Sequence, residues 1–147
     1  MNRDFLDMLS ALSEARAEFL VVGAHAVAVH ARPRATGSLD LWVRPTSENA
    51  QRVWRALQAF GAPLHELEPD DLVSDDLVFQ IGLPPSRIDI LTDIGSVDFE
   101  TAWRNRIEVR LEDLVVPVIG KAELIRAKRD AGRPRDLADL SDLEGGG

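Results

Sequence analysis

Two short apolar stretches each carry one aspartate at the centre: Leu39-Asp40-Leu41 and Ile88-Asp89-Ile90. Both read as β-strands, and a strand turns successive side chains to opposite faces. An acid inside an apolar strand needs a reason. It can face solvent, or it can face a cleft and bind a metal. One such residue is unremarkable. Two, on strands that could lie side by side, suggest a carboxylate pair for a divalent cation. Alternation places Ser38 and Trp42 on the face of Asp40. Arg87 and Leu91 are read as sharing the face opposite Asp89.

The rest of the chain supplies elements around these strands. Phe5, Leu6, Met8, Leu9, Leu12 and Ala15 fall at mostly helical spacing over residues 4–17. Residues 18–23 are an apolar run ending in Gly23, read as a buried strand, and the small residues 24–31 fit a helix packed against it. Residues 32–38 are a loop, broken by Pro33 and Gly37. The strand through Asp40 stops at Pro45. Thr46 is a helix cap, with Glu48 in the first turn, for a helix reaching Phe60 and ending at Gly61 and Pro63. The acidic stretch 64–76 has no regular assignment. Strands at 78–82 and 86–92 flank Leu83-Pro84-Pro85 as a hairpin.

A short helix capped by Ser96 or Asp98 follows, then one or two strands within 107–120. A helix from Lys121 closes at Gly132, and Pro134 begins a last one. No repeat or inter-domain linker interrupts this order. The expectation is one domain over residues 1–144 with a flexible glycine tail at 145–147. Its class is α+β: a mixed β-sheet with C-terminal helices and with helices on one side.

At 147 residues a single core buries roughly 68–70% of the unfolded chain's surface, so no covalent staple is needed. Cysteine is absent, which excludes disulfides, thiolate metal sites and cysteine nucleophiles. The N-terminal segment carries acids throughout and reads as neither a signal peptide nor an anchor. The expectation is a cytoplasmic protein with no membrane partner. The formal net charge of −8 disfavours nucleic-acid binding driven mainly by phosphate attraction. An acidic cleft can still hold a nucleotide if magnesium bridges the two negative partners.

Two further clusters can carry chemistry. Gly23-Ala24 sits where a strand turns into a helix, so the backbone there can approach a ligand and offer free amides to phosphate. A tight turn explains the same residues. Lys128, Arg133, Arg135 and Asp136 gather around the last helix–helix junction, where ordinary helix-end electrostatics would also put them. His25 and His30 are five residues apart, the wrong interval for one helix face. His25 could touch a ligand or simply pack.

Three runs, taken in order, carry a resemblance: VVGAHAVAVHARPRATGSLDLWV, RIDILT and AKRDAGRPRDLADL. From about Glu18 to Leu143 the chain resembles the minimal nucleotidyltransferases, in particular the bacterial branch related to abortive-infection and type IV toxin–antitoxin toxins. The resemblance implies a nucleotidyltransferase fold. Gly23 and Ala24 would cradle the nucleotide phosphates. The metal triad, an acid-x-acid pair plus a third acid on a neighbouring strand, falls on Ser38, Asp40 and Asp89. Arg34 and Thr36 match the polar residues before the acid pair. Lys128 and Asp136 match the C-terminal motif that helps complete the cleft.

The resemblance therefore implies transfer of a nucleoside monophosphate from an NTP to a hydroxyl on RNA (such as tRNA) or protein. Asp40 and Asp89 would bind Mg2+ or Mn2+. A cognate antitoxin or other partner protein is also implied. Ser38 departs from the pattern, because the family carries aspartate there and serine is a neutral, poor divalent ligand. The chain is then a slow enzyme, or a catalytically inactive module that binds nucleotide or a partner.

Overall fold

The structure, a computed structural model, describes residues 1–33 and 36–145. Its elements begin with α1 (Arg3–Glu14), β1 (Phe19–Val22), α2 (Gly23–His30), β2 (Ser38–Val43) and α3 (Ser47–Phe60). A 3-10 turn at Pro69–Val73 leads to β3 (Val78–Ile81), β4 (Arg87–Leu91) and α4 (Phe99–Arg104). The chain continues through β5 (Ile107–Leu111), β6 (Leu114–Val118), α5 (Lys121–Ala131) and α6 (Pro134–Gly145).

The six strands form one mixed sheet in the order β3-β4-β2-β1-β6-β5. The pairs β2/β4 and β1/β6 are parallel, while β1/β2, β3/β4 and β5/β6 are antiparallel. The stretch 107–120 thus makes a two-stranded hairpin. The acidic segment is less irregular than its sequence implies. Glu68 and Asp71 exchange backbone-to-carboxylate hydrogen bonds around the 3-10 turn, a capping box that uses acids rather than a hydroxyl.

The centre of the sheet is apolar on both sides. Leu20, Leu39, Leu41, Ile88 and Ile90 have essentially no exposure. Burying each such side chain is worth about 1.5–3 kcal/mol, which is how strands bearing central acids hold their place. α1 buries Phe5, Met8, Leu9 and Leu12 at helical spacing. Leu9 lines a small apolar space with Val21 and Leu39, so α1 covers the odd-numbered face of β2. On the even-numbered face, Trp42 packs edge-on to Phe99 of α4, and α5 lies over Val22 and Asp40. Helices therefore cover both faces, not one, because neither face of the central strands can be left to water.

Helix ends follow the sequence signals. The Thr46 hydroxyl accepts from Asn49 N at the start of α3, and Gly61 closes that helix in the left-handed region. Asp98, rather than Ser96, caps α4. α6 extends through Gly145, and Gly146 and Gly147 lie outside the described residues. Among the described residues no helix is long and apolar enough to cross a membrane.

Candidate active site

The sheet register sets the site. On the parallel β2/β4 pair Asp40 stands directly opposite Asp89, and Ser38 opposite Arg87. On the other side of β2, Val22 stands opposite Asp40. α2 begins at the next residue, Gly23, so its first turn opens beside Asp40. No side chain caps that turn, in contrast to α1, α3 and α4. Its leading amides remain available to an anion.

Gly23 is required for two reasons. Its φ is +68°, in the left-handed region. A Cβ on it would also lie 3.0 Å from Asp40 Cγ and inside the contact distance of Oδ2. The helix start can approach the carboxylate this closely only without a side chain. Thr36 fixes the entry into β2, because its Oγ1 accepts from Ser38 N at 3.3 Å and donates to Ser38 O at 3.2 Å.

The acids differ in how their charge is met. Ser38 Oγ donates to Asp40 Oδ1 at 3.2 Å. Burial, and then the charge of Asp89, push the Asp40 pKa above its ordinary value, and the Ser38 hydroxyl offsets only part of this. Asp89 is buried, and Arg87 grips both of its oxygens: Nε donates to Oδ1 at 3.0 Å and Nη2 to Oδ2 at 3.2 Å. Residues two apart on a strand share a face. Arg87 and Leu91 thus lie on the same side as Asp89 and line the same cleft, which corrects the opposite-face reading.

α5 and α6 form the facing wall. Lys128 Nζ sits 3.4 Å from Asp136 Oδ1 and 3.0 Å from Asp139 Oδ2. Arg133 donates from its backbone N and its Nε to Asp136 Oδ2, at 3.1 and 2.6 Å. Both aspartates are fully enclosed. Burial alone would raise the Asp136 pKa, but the hydrogen bonds from Arg133 and the charge of Lys128 outweigh it. The net shift is downward.

Between the two walls lies a cleft of about 400 Å³. Gly23, Ala24, Thr36, Ser38, Asp40, Asp89, Lys128 and Asp136 all line it. Arg34 lies outside the described residues. Arg133 and Arg135, grouped in the sequence with Lys128 and Asp136, line it too, as do Arg87, Asp93 and Asp139, to which sequence reasoning gave no site role. A signal for Asp139 existed: it is one helical turn after Asp136, on the same face.

His25 is turned away from the cleft. Its ring packs edge-on to Phe5 at 5.4 Å, burial lowers its pKa, and its Nε2 is enclosed without a hydrogen bond. His30 Nε2 is 2.7 Å from the Ile119 carbonyl.

Among the described residues, no group of three or more His, Asp or Glu side chains could hold a metal ion. The Asp40/Asp89 pair fits a single divalent ion, since mutual repulsion is what a cation relieves. It does not fit two ions sharing three carboxylates, because position 38 offers a neutral hydroxyl.

This architecture is the nucleotidyltransferase fold. The chain is similar to the lincosamide antibiotic adenylyltransferase LnuA in its lincomycin-bound crystal structure, with a TM-score of 0.60 and 15% identity over 98% of this chain and 96% of that one. It is also similar to a "putative nucleotidyltransferase (TM1012)" from Thermotoga maritima, with a TM-score of 0.63 and 15% identity over 97% of this chain and 91% of that one. Neither a protein-family model nor a curated protein matches the sequence.

Proposed function

We propose that this cleft binds an NTP with one Mg2+ (or Mn2+) ion and transfers its nucleoside monophosphate slowly to a hydroxyl on RNA or protein. One observation carries the reading: the uncapped α2 amides, the Asp40/Asp89 pair and the cations of α5 and α6 converge on one 400 Å³ cleft. Anion donors and a cation site lining one space suit a nucleoside triphosphate.

Each group has a task in this reading. The amides of Gly23 and Ala24 bind phosphate oxygens, with Thr36 lining the cleft beside them, and the resemblance adds Arg34, outside the described residues, to the triphosphate contacts. Asp40 and Asp89 would hold the ion, which offsets the phosphate charge and orients the triphosphate. Lys128 and Arg133 face the same space and draw the outgoing pyrophosphate. Asp136, fully enclosed, acts through these two cations as a positioning residue. The acceptor oxygen bonds to the α-phosphorus as the bond to pyrophosphate breaks. The hydroxyl proton passes to a cleft carboxylate.

Ser38 sets the rate. Loss of one preorganised charge-stabilising group costs about 2.7–4 kcal/mol in a barrier, or 10²–10³ in rate. Ser38→Asp is therefore expected to accelerate transfer by about that factor. The test is label transfer from NTPs with Mg2+ to total RNA, to protein, and to small-molecule hydroxyls. The last arm is included because LnuA is an adenylyltransferase of lincosamide antibiotics. No label on any acceptor, from parent or variant, sinks the transfer reading.

A second reading follows from Ser38 and from the Arg87 grip on Asp89. The domain would bind nucleotide, or a partner such as a cognate antitoxin, without turnover. Its cytoplasmic setting would be a system of the toxin–antitoxin kind. Calorimetry with NTP and Mg2+ separates the two: saturable binding with no transfer by the parent favours the module.

A further inference from the structure

Arg87 already occupies both oxygens of Asp89, one of the two carboxylates that the proposed ion would need. The fork is bidentate, the geometry in which a guanidinium holds a carboxylate best. Asp89 is buried while the Arg87 side chain is 32% exposed to the cleft, so the pair is screened less than a surface ion pair yet stays open to an incoming ligand. Across the β2/β4 pair Arg87 faces residue 38, a serine that offers it no competing charge. The guanidinium is thus committed to Asp89. Asp40, Asp89 and Arg87 together carry one negative charge rather than two. An incoming divalent ion must share Asp89 with a cation already seated there.

Resting on the proposed Asp40/Asp89 ion site, we infer that Arg87 is an internal counter-cation that competes with the divalent ion for Asp89. The free cleft then holds the ion weakly. Ion and triphosphate enter together, because phosphate oxygens give Arg87 an alternative partner when it releases the carboxylate. Binding of the two is mutually reinforcing, and Arg87 is the residue that couples them.

The experiment measures Mn2+ binding to the whole chain by water-proton relaxation, with and without a non-hydrolysable ATP analogue. Parent and Arg87→Gln are compared. Arg87→Gln is expected to bind Mn2+ alone at least tenfold more tightly than the parent. The analogue is expected to tighten Mn2+ binding to the parent several-fold more than to the variant. Asp40→Asn, added to Arg87→Gln, is expected to erase the gain.

Equal Mn2+ affinity in the parent and Arg87→Gln overturns the competition while leaving the ion site in place. A gain that survives Asp40→Asn overturns it as well, since the ion then sits elsewhere. No Mn2+ binding by either protein, even with the analogue, removes the ion site itself. If Arg87→Gln loses its fold, Mn2+ should restore it at concentrations that leave the parent's Tm unmoved. No such rescue overturns the proposal. A purely structural ion pair predicts loss of stability without any change in metal affinity.

Discussion

Asp136 on the helix wall of the cleft and Asp40 on its sheet wall have their charge met in opposite ways. On the helix wall Asp136 is fully enclosed, yet Arg133 and Lys128 meet its charge from two sides, and its pKa falls. On the sheet wall Asp40 has a hydroxyl and a second acid for neighbours, and its pKa rises. One acid is satisfied by the fold and the other is not. Groups held against their own preference mark the places where a protein gives up stability for binding. In the proposed function the sheet wall would hold the ion, and the helix wall would supply the cations that meet the phosphates.

The largest effect that could break this contrast is at Asp136. Removing one partner of a buried ion pair costs about 3–5 kcal/mol, because the charges left behind are uncompensated. Asp136→Asn is expected to lose stability toward the lower end of that range in urea unfolding, because Lys128 keeps Asp139 and the Arg133 side chain is 55% exposed. A loss below about 1 kcal/mol, the scale of a surface pair, would mean that the helix wall is held by other contacts. The acid limb gives a second check. A carboxylate whose folded pKa is lowered contributes stability above its ordinary value of 3.8. That stability is lost as pH falls through the folded value. Asp136→Asn should therefore flatten the parent's fall in stability below about pH 4.

The same contrast explains what was legible in the sequence. Asp40 and Asp89 stood out because an acid inside an apolar strand is a local signal. The elements themselves were legible from periodicity and caps, as with Thr46 and Gly61 of α3. Strand order was not, since register is decided between strands. That register puts Asp40 opposite Asp89 and Ser38 opposite Arg87. Alternation alone would have put Arg87 on the Asp89 face had it been counted correctly. Helices on both faces were also hidden, because the central strands read as uniformly apolar whichever face is covered. On the helix wall, the pairing of Lys128 with Asp136 and Asp139 depends on how α5 and α6 pack.

A middle-sized effect sharpens the sheet wall. Gly23→Ala must adopt a left-handed backbone, at about 1–2 kcal/mol, and must push against Asp40. Urea unfolding of Gly23→Ala, Asp40→Ala and the double variant separates these costs. The backbone part should persist in the double variant, and the clash with the carboxylate should vanish, leaving only the tight 3.1 Å approach to the Cβ of residue 40. That leaves a coupling of roughly 0.5–3 kcal/mol between two residues that touch. Additive losses would mean that α2 does not press on Asp40, and the crowding assigned to that carboxylate would go with it.

The smallest effect bears most directly on which acid is satisfied. Asp40→Asn keeps the shape and removes a charge that burial and Asp89 both oppose. It is expected to stabilise the free protein by about 0.5–2 kcal/mol at neutral pH while abolishing Mn2+ binding. The pH dependence carries the sign. A carboxyl whose folded pKa is raised contributes its stability in full below the ordinary value of 3.8 and loses it as pH rises through the raised value. Parent and Asp40→Asn should therefore be nearly equal in stability below pH 3.8 and diverge above it, with the parent falling behind. Asp136→Asn should diverge in the other direction, because there the parent holds the advantage once its carboxylate is charged. If Asp40→Asn is instead the less stable protein at pH 7, Asp40 is met by the fold as fully as Asp136 is. The sheet wall would then hold no unmet charge for a cation to answer.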